Sequence, residues 1–268
     1  MTQVQSSSQE FSEAATSLAS AQRQILNDLN ATIVQSLRDR QEEAYLMGKP
    51  FKLDAISQPI PQPIIDARVR AAQAIQAYGQ ALLNVASGSN ETTVDSYTET
   101  LAKDVKKALP NVNMNKTGEA AAGVTGIANI ALQWYEYKSI TQIAQAAQPH
   151  IISIARLFAD DSVIEEVSDQ TAVMMDVGAR ELILAKIRDD ERVPTDRRDE
   201  AFVKMSARSP FDRLSNEQAN LNQLMATLVR CNAALAAGQQ QTFSSLAHAA
   251  YLRGKDMYSV YLDVKSDK

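Results

Sequence analysis

Histidine and cysteine are nearly absent from this chain, which has only His150, His248 and Cys231 in 268 residues. A single thiol rules out an intrachain disulfide framework and any multi-thiolate metal site. Neither histidine belongs to an E-x-x-H or H-E-x-x-H pattern, so the helical di-iron and zinc-protease constellations are missing too. A basic excess is also lacking. With a net charge of -5, the chain has no surplus of cations for sequence-independent phosphate contacts, and no nucleic-acid partner is expected. No run reaches the roughly 20 consecutive apolar residues of a membrane-spanning helix. Glycine and proline are few, at nine and eight residues, and the chain is instead supplied with Ala, Gln, Leu, Glu and Arg, which lose little rotamer freedom in a helix. An apolar fraction of 45% is ample for a core. These features predict an all-α fold.

The helical pattern begins at the N-terminus. Ser7 and Glu10 have capping-box spacing, and Phe11, Ala15, Leu18, Ile25, Leu29, Ile33 and Leu37 follow as one apolar stripe that Gly48 and Pro50 end. Pro50, Pro59, Pro61 and Pro63 mark an extended crossover. A second helix is predicted from about Ile65 to Gly88, and a third from Thr92 to the basic "KDVKKAL" before Pro110. A fourth is predicted from near Thr117 through "KSITQIAQAAQ", with Pro149 as a break before a fifth. Thr195 caps the next, Ser209 and Pro210 interrupt it, and a helix then runs to Gly238. The last spans about Gln239 to Asp263. No strand pattern or tandem repeat is visible. The predicted architecture is an elongated up-and-down bundle of long antiparallel helices, with a flexible polar lead-in over 1–7, a single helical-bundle domain over 8–264 and a polar tail over 265–268.

Motifs that imitate chemistry fail on inspection. "GEAAAGVT" places Val124 where a phosphate loop needs lysine, and no strand precedes it. The carboxylates of "ADDSVIEEVSD" read as a solvated helix face, and Cys231 in "LMATLVRCNAALAAG" reads as a buried small hydrophobe. Asn30, Asn90 and Asn115 open glycosylation sequons, which are short enough to arise by chance. No catalytic, cofactor-binding or metal residue is assigned. In "KTGEAAAGVTGIANIALQWYEY", Gly118, Ala122 and Gly126 recur every four residues and predict close approach of another helix. Ile127, Ile130, Ala131 and Trp134 continue this surface, which reads first as an internal packing element, with Trp134, Tyr135 and Tyr137 more often core anchors at this spacing; Ile127, Ile130, Trp134, Tyr135 and Tyr137 are the candidate interaction or membrane-contact residues.

"SSSQEFSEAATSLASAQRQILNDLN", "AQAIQAYGQALLNVASG" and "YEYKSITQIAQAAQPHIISIARLFADD" together resemble predicted helical lipoproteins of Gram-negative bacteria, a poorly characterised family. The resemblance implies a periplasmic protein tethered, at the outer membrane in its natural form, through an N-terminal lipid absent from the sequence as it stands. A cytoplasmic location stays open. No functional residues come with the resemblance. The function expected is that of a non-enzymatic interaction protein whose protein partner is an envelope component or a toxin. The alternative is a membrane-active bundle that stores the segment 118–132 in a soluble form and exposes it on activation.

Overall fold

The computed structural model describes residues 2–46, 48–50, 60–88, 115–159, 184–190, 194–206 and 210–266. It is all-α, with no strand among the described residues. Helix α1 spans Gln3–Leu46, α2 Gln62–Ser87, α3 Asn115–Leu132, α4 Ile140–Ala159, α5 Thr195–Ser206, α6 Pro210–Ala236 and α7 Gln240–Ser266, with a 3-10 turn at Trp134–Glu136 between α3 and α4. Residues 184–189 are also helical. The expected third helix at 92–109 and the carboxylates Asp160, Asp161, Glu165, Glu166 and Asp169 lie outside the described residues.

Within the expected lead-in over 1–7, the described residues are helical from Gln3, and Thr2 and Gln5 supply the capping box. The Thr2 amide donates to Gln5 Oε1 at 2.7 Å and the Gln5 amide to Thr2 Oγ1 at 3.3 Å. Ser7 is therefore inside the helix, buried, bonding the Gln3 carbonyl at 3.0 Å and Ser244 Oγ at 2.7 Å. At the other end α7 continues to Ser266, past the start of the expected tail. The chain divides into two compact units, the first comprising Met1–Ile25, Gln62–Asp160 and Glu217–Lys268, and the second Leu26–Pro61 and Asp161–Asn216.

Predicted helix ends have a clear origin at two glycines. Gly48 and Gly238 sit at φ +84° and +71°, conformations that a Cβ disfavours. In each case two backbone amides turn back onto the last helical carbonyls: Gly48 to Tyr45 and Lys49 to Ala44, Gly238 to Leu235 and Gln239 to Ala234. Pro149, expected to break a helix, instead lies within α4. Pro149 and Gln145 are both exposed, so the carbonyl that loses its bond to the missing proline amide is on the wet side, while Ile143, Ala147, Ile151 and Ile154 keep both halves seated in the core.

In the first unit, pairwise contacts establish how the helices run. Gln76 meets Thr16 while Gly79 meets Ser12, so α1 and α2 are antiparallel. Gly123 and Gly126 both meet α4 at His150, and Gly123 also reaches Ser153 and Ile154, making α3 and α4 an antiparallel hairpin. By contrast Ser7 bonds Ser244, Glu10 pairs with His248, and Ser17 lies on Gly254, so α1 and α7 run parallel. The core is centred on Phe11, whose ring meets Tyr78 edge-on at 5.9 Å and Phe243 at 6.4 Å. Burial of such a side chain contributes about 1.5–3 kcal/mol.

In the second unit, the Asn30 side chain clasps the backbone of Ile60. Its Nδ2 donates to the Ile60 carbonyl at 2.9 Å and its Oδ1 accepts from the Ile60 amide at 2.8 Å. This buried, doubly engaged side chain is unsuited to glycosylation in the folded protein, and the sequon at Asn30 has a structural explanation. Ile187 is buried, and Arg198 reaches the Asp190 carbonyl at 2.6 Å.

The α3–α4 approach is close at Gly123, where a Cβ would stand 2.8 Å from the His150 carbonyl oxygen and 3.0 Å from Ser153 Cβ. Ala122, assigned by four-residue spacing to the packing face, is exposed. Replacing Gly by Ala inside a helix normally gains about 1 kcal/mol, but here the overlap is with backbone that cannot swing aside. Gly123→Ala is predicted to lower stability by about 1 kcal/mol or more, whereas Ala122→Leu changes it by less than about 0.5 kcal/mol. Urea denaturation of the two variants beside the wild type checks this pair.

Candidate interaction surface

The five residues singled out from the sequence do not form one exposed patch. Ile127, Ile130 and Trp134 are buried at 0%, 7% and 6% exposure, so they are core residues and not surface contacts in this conformation. The reason is helical geometry: Val124, Ile127, Ala128, Ile130 and Ala131 share the face that α3 turns inward. Contact of Ile127 or Ile130 with a membrane would require α3 to leave α4. Tyr135 is 54% exposed, and Tyr137 is half-buried.

These last three aromatic residues lie at a tight corner where a continuous helix was expected. The Gln133 amide still bonds the Asn129 carbonyl, but the Glu136 and Tyr137 amides turn back to Gln133 and Trp134 at 3.0 and 3.1 Å, closing the 3-10 turn. Ser139 then opens α4. Its Oγ accepts from the Gln142 amide at 3.3 Å, while Gln142 Oε1 accepts from the Lys138 amide at 3.1 Å. The Ser139-x-x-Gln142 spacing inside "KSITQ" was the signal for this new start. Consecutive aromatic residues, mediocre helix formers, precede it. The corner is thus held from both sides, by the buried Trp134 ring and by the capped start of α4. Tyr135 projects from it, with its ring edge-on to Trp134 at 6.4 Å.

Beneath the corner lies a buried polar node that sequence reading missed. Tyr78 Oη, from α2, donates to Asn232 Oδ1, from α6. Asn232 Nδ2 in turn donates to the Ala144 carbonyl at 3.1 Å and to Gln148 Oε1 at 2.5 Å, both on α4. Three helices are joined through one asparagine that is 0% exposed. Burial drives the Tyr78 phenol well above its ordinary value, and proximity to Tyr137 pushes it further. Tyr137 is itself raised by burial and by the neighbouring Glu136 carboxylate. Asparagine within an Ala/Leu-rich helix does not announce its partners, because they lie on other helices.

The remaining reactive groups are occupied structurally. Cys231, next to this node, is buried, and loss of solvent pushes its thiol up to about 12, so it stays protonated and unreactive at neutral pH. The His150 ring fills the space left by Gly126. His248 Nδ1 lies 2.9 Å from Glu10 Oε1 across the α1–α7 seam. Among the described residues, no group of three or more His, Cys, Asp or Glu side chains is placed to hold a metal ion, and no helix is long and apolar enough to cross a membrane. No protein-family model matches the chain, and comparison with curated proteins and with solved structures finds no significant match.

Two predictions follow from the buried node. Asn232→Ala leaves the Tyr78 hydroxyl buried without its acceptor and is expected to cost about 1–3 kcal/mol by urea denaturation, more than Tyr78→Phe, which removes a donor and leaves Asn232 its two other bonds. The second concerns pH. The folded thiol of Cys231 titrates above its ordinary 9.0, so the unfolded chain loses its proton first. The stability associated with the neutral thiol is present below that value and is lost as pH rises towards about 12. Tyr78 acts in the same direction above its ordinary 10.0. The denaturation midpoint should fall from about pH 8 to 11, with a shallower fall in Cys231→Ala. A midpoint that climbs over this range would contradict the assignment.

Proposed function

We propose that this chain is a non-enzymatic interaction protein that presents the corner at 134–139 to a protein partner, an envelope component or a toxin. The observation that carries the reading is Tyr135, a large amphipathic side chain 54% exposed on backbone that is pinned on both sides. A rigidly held tyrosine supplies contact area at little cost in side-chain entropy, which is why tyrosine recurs at the energetic centre of interfaces. The burial of Cys231 and the packing of His150 support a binding role over a catalytic one, since the side chains best suited to nucleophilic or acid–base work serve the fold.

The cellular setting in this reading is the periplasm, with the chain tethered to the outer membrane by a lipid in its natural form. That part comes from the lipoprotein resemblance. Fractionation of cells expressing the natural gene tests it, and recovery with the cytosol would remove it. The membrane-active alternative demands more of the molecule, because α3 must separate from α4 before Ile127 and Ile130 reach lipid.

The central test is affinity capture from envelope extract with the purified protein as bait. One saturable protein partner is expected, and the double variant Tyr135→Ala, Tyr137→Ala should retain the wild-type circular dichroism while capturing about tenfold less of it. Undiminished capture by the variant would move the contact surface elsewhere. Recovery of lipid vesicles alone would favour the membrane-active alternative.

A further inference from the structure

Charged side chains are distributed unevenly over the first unit. They make up 22% of the whole chain, yet residues 2–9, 71–88, 120–135, 139–149 and 231–247 contain no Asp, Glu, Lys or Arg. The fold brings the ends of these runs together. Ser7 bonds Ser244, joining the starts of α1 and α7. Gln145 Nε2 donates to the Ala236 carbonyl at 3.0 Å, joining the first half of α4 to the end of α6. The antiparallel register of Gly79 on Ser12 carries the last turns of α2 alongside the start of α1. The result is one end of the unit where the exposed polar groups of the described residues are chiefly amides, including Gln3, Gln80, Gln133, Gln142, Gln240 and Gln241. Among the described residues there, Glu136 and Lys138 are the charged exceptions, opposite in sign and two positions apart.

We infer that this neutral end is a self-association surface, and that its occupant is a second copy of the same end. The inference rests on the reading of the Tyr135 corner as a protein-contact surface and names a partner for it. A two-fold contact sets a patch against itself, so every group must tolerate its own kind. Carboxylates facing carboxylates repel, whereas an amide both donates and accepts and is complementary to another amide. For a chain of net charge -5, the described residues of this end are where two copies can meet without bringing like charges together. Desolvating an amide also costs far less than desolvating a charge, and protein interfaces are correspondingly depleted of charge at their centres and enriched in tyrosine. Tyr135 provides the aromatic contact, and the opposite signs of Glu136 and Lys138 suit reciprocal pairing across a two-fold axis.

Sedimentation velocity of the full chain over a range from micromolar to near-millimolar concentration tests the inference. Reversible dimerisation is expected, with only a modest weakening at high salt, because the amides and Tyr135 carry the contact and the exposed Glu136–Lys138 pairs add little to it. Gln240→Glu places like charges at the exposed first turn of α7, where an acidic residue suits the helix dipole and folding is retained. This variant should dimerise at least about tenfold more weakly, and an equimolar mixture with Gln240→Lys should recover association as a heterodimer. A wild type that remains monomeric throughout would overturn the inference, as would a dimer insensitive to both substitutions. If such a monomeric protein still captures a saturable envelope partner through Tyr135, the reading of the corner stands and only its occupancy by a second copy is lost.

Discussion

The first unit depends on helices that approach until almost nothing stands between their backbones. Gly79 rests against the Ser12 backbone, Gly123 against the His150 carbonyl, and Gly254 against Ser17. At each crossing a side chain has been reduced to hydrogen, so dispersion contacts are made by backbone and Cβ atoms at short range. This constraint carries a conformational consequence for the neighbouring residues. With Gly79 seated on α1, Tyr78 is directed into the interior, where its ring meets Phe11 and its hydroxyl reaches Asn232. With Gly123 and Gly126 seated on α4, Ile127 and Ile130 are committed to the core and Trp134 anchors the turn that follows.

The Asn232 node adds specificity to this close packing. Small residues and aliphatic side chains tolerate sliding by a helical turn, since one methyl surface resembles another. A buried asparagine bound to Tyr78, the Ala144 carbonyl and Gln148 does not, because any shift of α2, α4 or α6 leaves a polar group dry and unpaired. The node also lies beside Tyr137, whose phenol influences that of Tyr78. The part of the molecule that presents Tyr135 is therefore braced by the best-specified part of its interior. Rigidity at a contact residue lowers the ordering cost of association.

Much of the secondary structure was legible because it depends on local chemistry. Gly48, Gly88 and Gly238 end helices where their sequence context predicts, and Pro210 stands first in α6. The misreadings arose where two local signals competed or where a distant partner decided the outcome. Ser7 and Glu10 resemble a capping box, yet Thr2 and Gln5 act earlier, and the partners of Ser7 and Glu10 are on α7, more than 200 residues away. Pro149 reads as a breaker until the burial of its neighbours is known. The glycine-alanine window correctly suggested a close helix approach, but four-residue spacing selected Ala122, while the actual contact uses Gly123 and Gly126, three apart. For the five candidate contact residues the sequence favours packing, and the exposure of Tyr135 depends on the break at Gln133, where a continuous helix was expected.

The chain carries a single tryptophan, at the corner between α3 and α4. Trp134 emission, recorded with acrylamide as a quencher in the presence and absence of anionic lipid vesicles, tests whether the corner is anchored as described. Blue-shifted emission that is weakly quenched and unchanged by vesicles is the predicted result, as expected for an indole 6% exposed. Red-shifted, readily quenched emission, or a shift on adding vesicles, would mean that α3 and its corner are not held in the core, and would contradict the proposal that Tyr135 is presented from a rigid support.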